Sequence, residues 1–217
     1  MSKTLIFTAT YNEKENIKKL IHDINKLNKD VDILVIDDNS PDKTWEILQQ
    51  LEKNLLNLKV IVRDGKSGLD TAHKLAYEYA KNNDYTKFIS MDADLSHDPS
   101  EIPKIMNHLD EFPFVIGSRY SLGGKCEMNG FRLLLSVVGN KVFKYFLKIN
   151  CNEFTSSFRG FNLVKLEGFD FNLINSKGYS FFMETIYRIN ELNFEIKEIP
   201  IIFKNRAQGK SKIPKIE

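Results

Sequence analysis

The feature that most limits how this chain can fold is the alternation of short apolar runs with segments of helical periodicity through its first 120 residues. Residues 4–9, 31–36, 59–62, 87–91 and 114–117 have the length and the β-branched or aromatic content of buried strands. Between them, Asn12 with Glu15 three residues on predicts a capped helix whose apolar stripe is Ile17, Leu20, Ile21, Ile24 and Leu27. Ser40-Pro41 predicts an N-cap and first-position proline for a helix reaching about residue 53, and a further helix is predicted over 69–81. Strands that alternate with helices build βαβ units. The expected class is therefore α/β, a mainly parallel central sheet flanked by helices.

In such a sheet, ligands bind outside the carboxyl ends of the strands, so the residues after each strand carry the function. After the fourth run comes Met91-Asp92-Ala93-Asp94-Leu95-Ser96-His97-Asp98-Pro99. Asp98 reads as an N-cap, Pro99 as the first helical residue and Glu101 as the end of a capping box, which pins Asp92 and Asp94 in the turn between strand and helix. Two carboxylates one residue apart can share a hard cation. Magnesium or manganese typically takes one or two protein carboxylates and completes its shell with water and phosphate oxygens, so the implied ligand is a diphosphate. The plainer alternative is a pair of aspartates that solvates a strand end. Thr10-Tyr11-Asn12-Glu13 after the first strand and Asp37-Asp38 after the second reach the same rim, a set that suits a nucleotide. Neither G-x-G-x-x-G nor G-x-x-x-x-G-K-[ST] is present, which argues against a dinucleotide or P-loop enzyme.

Composition excludes several other classes. With 31 Lys+Arg against 29 Asp+Glu the net charge of +2 argues neither for nor against nucleic acid, and no nucleic-acid partner is expected. Cys126 and Cys151 form neither a disulfide framework nor a zinc spacing, so a reducing compartment and packing roles are expected. The four histidines have no metal spacing, and His97 is expected to serve helix entry rather than ligation. No leader is predicted, because the chain enters its first strand at once, and no apolar run approaches about 18 residues.

The segments Ala9-Thr10-Tyr11-Asn12-Glu13, Ile36-Asp37-Asp38-Asn39-Ser40-Pro41-Asp42, Gly68-Leu69-Asp70-Thr71-Ala72, Met91-Asp92-Ala93-Asp94-Leu95-Ser96-His97, Gly117-Ser118-Arg119-Tyr120, Thr155-Ser156-Ser157-Phe158-Arg159 and Gly209-Lys210-Ser211-Lys212 occur in one order. Together they resemble the family 2 inverting glycosyltransferases, and most of all the dolichyl-phosphate or polyprenyl-phosphate mannosyltransferases. The resemblance implies the glycosyltransferase A fold, a divalent metal (Mg2+ or Mn2+) and a nucleotide-sugar donor, GDP-mannose or UDP-glucose. It implies a single catalytic domain over 1–217, with a donor-binding half (1–120) and an acceptor-side half (121–217) that ends in a basic loop. By the same resemblance Tyr11, Glu13, Ile36 and Asp38 hold the nucleoside with Asp92 and Ala93 alongside, and Asp94 is the main metal ligand with Ser96 as a second. Arg119, Arg206 and Lys212 match positions around the diphosphate and the acceptor phosphate. Asp92, Asp94 and Arg119 are the expected catalytic set. Ala9, Asn39, Asp70 and Phe182 depart from the family's usual residues, which leaves base and sugar open.

The acceptor turns on whether a base is needed. A sugar hydroxyl generally wants a positioned carboxylate, whereas a phosphate monoester is already mostly dianionic at neutral pH. Residues 154–159 offer hydroxyls and an arginine but no acid, so Ser156, Ser157 and Arg159 are the expected cradle for a polyprenyl phosphate. Glu153 or Glu184 stays available as a base for the alternative, a glycan hydroxyl. Residues 130–150 carry more apolar surface than one core-facing stripe requires, with Lys141, Lys144 and Lys148 on one face. Such a helix lies in a membrane interface or lines a lipid groove, or it is a buried helix with a lysine edge. The first reading places the protein on a peripheral membrane surface, at the cytoplasmic face. Residues 163–174 and 181–192 read as helices and 195–203 as paired strands; 206–212 is either a loop that closes over a diphosphate or a solvated tail.

Overall fold

The computed structural model describes residues 3–27 and 31–208. Its first half follows the alternation closely: β1 (Thr4–Thr10), α1 (Ile17–Leu27), β2 (Val31–Asp37), α2 (Thr44–Glu52), β3 (Leu58–Val62), α3 (Leu69–Asn82), β4 (Lys87–Ser90), α4 (Ile102–Glu111) and β5 (Phe114–Ser118). The second half contributes β6 (Lys125–Cys126), α5 (Phe131–Leu147), β7 (Arg159–Asn162), α6 (Tyr179–Glu191), β8 (Ile196–Pro200) and β9 (Ile202–Phe203). Seven strands form one sheet in the order β3-β2-β1-β4-β7-β5-β8, and β6 with β9 forms a two-stranded ribbon.

Every pairing in the large sheet is parallel except those of β7, which runs antiparallel to β4 (Ser90↔Arg159) and to β5 (Ile116↔Arg159). That reversal has a functional consequence. The start of β7, and residues 153–158 before it, lie on the rim where the parallel strands end. The strands alternate between two cores: Phe7, Leu34, Ile36 and Phe88 pack with Ala76 and Tyr77 of α3 and Phe181 of α6, while Ile6, Ile33, Val35 and Ile89 face Ile17, Leu20, Ile21 and Ile24 of α1. Gly160 of β7 lets α4 approach closely, since a β-carbon there would lie 2.6 Å from the Ile105 side chain.

Four local expectations are corrected. Asn12 does not cap α1; at φ 57° its side chain accepts the Asp42 N–H (3.1 Å) and its own N–H goes to Ser40 Oγ (2.9 Å), so it joins the loops after β1 and β2. Ser40 is likewise spent on Asn12 and Asp37, and α2 begins only at Thr44, whose N–H and hydroxyl both bond the Asp42 carboxylate (3.0 and 2.6 Å). The helix expected over 163–174 is absent. The Asn162 side chain takes the N–H groups of Val164 and Lys165, Gly168 turns the chain at φ 84°, and Leu166, Phe169, Phe171 and Ile174 enter the core one by one. Residues 195–203 do not pair with each other, because β8 joins β5 and β9 joins β6.

Asp98 does cap the turn that follows β4, accepting the Ser100 N–H at 3.0 Å, while Glu101 faces Lys104 (3.6 Å). Asp98 also binds Lys204 Nζ at 2.7 Å, which ties the turn to the segment after β9. Burial opposes its ionisation, but Lys204 and the Ser100 bonds outweigh it and hold the carboxyl at about 2, below the ordinary 3.8. A carboxyl lowered by folding stabilises the protein above its unfolded value, and that stability is lost as pH falls through the folded one. Asp98→Asn keeps the cap and loses the charge. Its deficit against wild type, about 1 kcal/mol or less for so solvated a pair, is expected to be full near pH 6 and to shrink between about pH 4 and 2. Thermal melts across that range measure it, and a deficit independent of pH would show that charge is not what the contact contributes.

Candidate active site

Four buried groups shape the rim after β1 and β2. The Asp37 carboxylate accepts the Thr10 hydroxyl (2.6 Å), the Ser40 hydroxyl (2.7 Å) and the Ser40 N–H (2.8 Å), so it is a fixed structural anion that locks the two loops together. Asp38 faces the next loop. Its Oδ1 accepts Arg63 Nε at 2.6 Å and its Oδ2 the Ser67 N–H at 3.1 Å, while Arg63 also reaches Thr71 Oγ1 (2.6 Å) and the Gly68 carbonyl (3.1 Å). Tyr11, after β1, has Lys66 Nζ 5.0 Å from its ring centroid. Ile36 and Ala93 are buried beneath, so they can offer backbone and shape but no side-chain polar group.

The turn after β4 is held from three sides. Asp92 Oδ1 accepts the Ser157 hydroxyl at 2.5 Å, and the Asp92 N–H donates to His97 Nδ1 at 3.1 Å, which leaves the His97 proton on Nε2. His97 is buried, stacked on Phe158 with ring centroids 5.1 Å apart, and burial keeps it neutral. Leu95 adopts φ 64°, an uncommon conformation for a leucine and the one strained link in the turn. It brings the Ser96 N–H (3.0 Å) and hydroxyl (2.5 Å) onto Asp94 Oδ1. Ser96, its hydroxyl buried, thus orients the Asp94 carboxylate, which is the expected main metal ligand. Partial burial and the like charge of Asp94 push the Asp92 carboxyl above the ordinary range, against the hydrogen bond from Ser157.

A divalent ion fits this turn. The Asp92 side chain remains 38% exposed, the donors are hard oxygens, and a cation already sits on the outer oxygen of Asp94, since Arg206 Nη2 lies 3.0 Å from Oδ2. The described residues contain no cluster of three or more His, Cys, Asp or Glu side chains able to hold a metal. The protein would thus supply one or two carboxylates and leave the rest of the shell to water and phosphate.

Arg119, just past β5, makes a bidentate pair with Glu153: Nε to Oε2 and Nη2 to Oε1, each at 2.7 Å, with Nη2 also reaching Thr155 Oγ1 at 2.7 Å. Glu153 is fully buried, and its Oε1 further accepts the N–H groups of Thr155 and Ser156 at 3.1 Å. Burial opposes its charge, yet Arg119 holds its carboxyl below the ordinary range, so Glu153 is not a poised base. Glu184 is also spoken for, accepting the N–H groups of Asn175 (3.2 Å) and Ser176 (2.8 Å).

The expected acceptor cradle is corrected here. Arg159 is buried, and its guanidinium donates to the carbonyls of Ser156 (2.6 Å), Phe182 (2.7 Å) and Phe154 (2.9 Å), with the Phe182 ring beneath it at 4.8 Å. The Ser157 hydroxyl serves Asp92, and the Ser156 hydroxyl accepts the Phe158 N–H. These three residues build the floor of the site and present nothing outward. Glu13 is also turned inward, to Arg206 Nη1 (2.6 Å) and Asn16 Nδ2 (2.8 Å). Lys212 lies outside the described residues.

Comparison with known proteins decides the family. The sequence profile described as Glycosyl transferase family 2 matches residues 5–168, which span the ends of β1 to β5 and the start of β7. The chain belongs to glycosyl transferase family 2. Over 214 residues it is 32% identical to the polyprenol monophosphomannose synthase of Mycolicibacterium smegmatis, covering 97% of this chain and 81% of that one. It is 30% identical to the undecaprenyl-phosphate mannosyltransferase of Micrococcus luteus, covering 97% and 87%. Solved structures with the same fold include the mannosyltransferase PcManGT of Pyrobaculum calidifontis in complex with GDP-Man and Mn2+ (TM-score 0.60, 15% identity, 95% of this chain) and S. aureus TarS with UDP-GlcNAc (TM-score 0.62, 17% identity, 94%). The chain spans 57% and 59% of those two solved chains. The fold is glycosyltransferase A.

Within this family 2 glycosyltransferase, several site residues escaped the sequence reading. Arg63 follows the third strand, and asking what lies at that strand's end as well as at the others would have found it. The sequence places His97 at helix entry, whereas its ring also holds the Asp92 N–H. Tyr179, the first residue of α6, gave no local signal. Burial, then the charges of Asp92 and Asp94, push its hydroxyl up to about 12.

Proposed function

We propose that this glycosyltransferase moves a hexose, mannose first among the candidates, from a nucleoside diphosphate sugar to a polyprenyl phosphate, with inversion and with a divalent ion. The reading draws on the names of the two curated relatives, and one observation in this chain carries the lipid acceptor. Helix α5 displays an apolar stripe to solvent: Phe131 (71% exposed), Leu134, Leu135, Val138, Val142, Tyr145 (78%) and Phe146 (75%). The spacing of these residues is that of one helical face, and exposure of so many large apolar groups together marks a membrane or partner surface. The stripe is next to the chemistry, since Asn140 of α5 accepts the Phe154 N–H at 2.6 Å, and Ser136 accepts the Tyr120 hydroxyl at 2.7 Å, one residue from Arg119. Lys141, Lys144 and Lys148, with Tyr145 and Phe146, line a shallow hollow on the same helix, and Phe143, Leu147, Met183 and Tyr187 line a groove between α5 and α6. No helix among the described residues is long and apolar enough to cross a membrane, so contact through α5 would be peripheral.

In this reading the acceptor phosphate is held by Arg119 with the hydroxyls of Tyr120 and Ser136, not by the residues first expected. An acceptor phosphate oxygen forms a bond to the anomeric carbon while the bond from that carbon to the donor diphosphate breaks and the nucleoside diphosphate leaves with the electron pair. A bound divalent ion would supply Lewis-acid stabilisation of that leaving charge. Asp94 and Asp92 would hold the ion, Arg206 and Lys212 would face the diphosphate, and Tyr11, Ile36, Asp38 and Ala93 would frame the nucleoside. Glu13, first expected there, is engaged with Arg206 and Asn16 instead. That both Glu153 and Glu184 are engaged favours an acceptor that needs no deprotonation over a glycan hydroxyl. Residues 1–217 would act as one catalytic unit at the cytoplasmic face of a membrane.

The test presents the protein with GDP- and UDP-hexoses, manganese or magnesium, and a short polyprenyl phosphate in anionic vesicles, and reads lipid mass. A gain of one hexose from a single donor is expected, and Phe146→Glu is expected to slow transfer in vesicles while leaving it near wild type in detergent. Nucleotide release with no change in lipid mass would move the acceptor to a hydroxyl.

A further inference from the structure

The segment after β9 is tied both to the turn after β4 and to the head of α1. Its Lys204 N–H donates to the Ser96 carbonyl (3.0 Å) and its Ala207 N–H to the Asp94 carbonyl (3.3 Å), both in the metal turn. Arg206 bridges Glu13 Oε1 (2.6 Å) and Asp94 Oδ2 (3.0 Å), and the Gln208 carbonyl accepts Asn16 Nδ2 at 3.2 Å. The two anchor points on the far side, Glu13 and Asn16, lie at the head of α1 and are themselves joined, Asn16 Nδ2 donating to Glu13 Oε2 at 2.8 Å. Asn16 is 2% exposed, and one amide thus serves a buried carboxylate and the backbone of an otherwise exposed loop. An N-terminal helix residue kept only for the helix would not need to reach residue 208.

We propose that Asn16 is a positioning residue: with Glu13 it forms a seat that holds the C-terminal loop closed and keeps the Arg206 guanidinium on Asp94, in the place a divalent cation would take. The physical ground is competition. Asp94 Oδ1 already accepts two bonds from Ser96, and its Oδ2 holds a full positive charge, so a second cation on that carboxylate is repelled while Arg206 stays. Glu13 holds the other arm of the guanidinium, so Arg206 can leave Asp94 and remain within reach of the incoming diphosphate. The seat therefore acts with opposite signs on two ligands. It weakens binding of a bare metal ion and strengthens binding of the donor.

This inference rests on the metal-dependent donor reading above, and its test separates the two. Manganese is titrated into the protein without nucleotide and free ion is read by electron paramagnetic resonance; nucleoside diphosphate is then titrated calorimetrically at saturating manganese. Asn16→Ala and Arg206→Gln are each expected to bind bare manganese about two- to fivefold more tightly, the range expected for loss of a partly exposed competing ion pair, and to bind the nucleoside diphosphate more weakly than wild type. A residue that merely stabilised the fold would weaken both. Should Asn16→Ala fail to fold, Arg206→Gln, on the exposed loop, carries the measurement. Bare-manganese affinity unchanged or reduced in Arg206→Gln overturns the seat and leaves the function standing, whereas no manganese binding by wild type or variant overturns the metal assignment together with it.

Discussion

Asp94→Ala is expected to lower glycosyl transfer by about 10²–10³-fold, the loss typical when one preorganised group facing a developing charge is removed. The substitution takes away the carboxylate to which Ser96 donates twice and on which Arg206 rests, so it strips the turn of its organising anion. Asp94→Asn sharpens the result, since an amide oxygen can still accept from Ser96 while the charge is gone. Both variants are expected to lose the manganese dependence of donor binding, measured by titration with and without the ion. Donor affinity that still rises on adding manganese to Asp94→Asn would remove Asp94 from the metal site.

Arg119→Ala is expected to destabilise the protein by about 3–5 kcal/mol, the usual result of leaving one partner of a buried ion pair uncompensated. Glu153 is fully buried, and Arg119 gives it two of its shortest contacts. Lysine at 119 is not expected to restore the loss, because a single ammonium cannot reproduce the bidentate fork that also reaches Thr155. The double variant Arg119→Met/Glu153→Gln is expected to regain most of the melting temperature without regaining transfer, which distinguishes the structural share of Arg119 from its share in binding phosphate. A single Arg119→Ala variant that melts with wild type would show that the backbone N–H groups of Thr155 and Ser156 suffice for Glu153.

Arg159 and Arg206 show where sequence reading stops. Both are arginines in basic or hydroxyl-rich segments, and the sequence leads one to expect both at phosphate. Arg206 falls beside Asp94, while Arg159 falls on the inward face of β7, where three carbonyls consume it. Nothing within several residues of either distinguishes them. What separates them is that β7 runs antiparallel between β4 and β5, pairings made across roughly 70 and 45 residues of chain.

The α/β class, the strands of the first half, the rim that gathers residues 10–13, 37–38 and 92–94, and the over-apolar α5 were all legible in residue order, because side-chain period, cap chemistry and strand ends are local properties. The family was legible as well, from motifs in sequence order. Only the tertiary structure decided which charged side chains are free and which are spent. Glu153 is held by Arg119 across 34 residues, Asp38 by Arg63 across 25, and Glu13 by Arg206 across 193. A carboxylate's role depends on which cation stands within about 3 Å of it, and that distance is set by how strands from remote parts of the chain lie side by side.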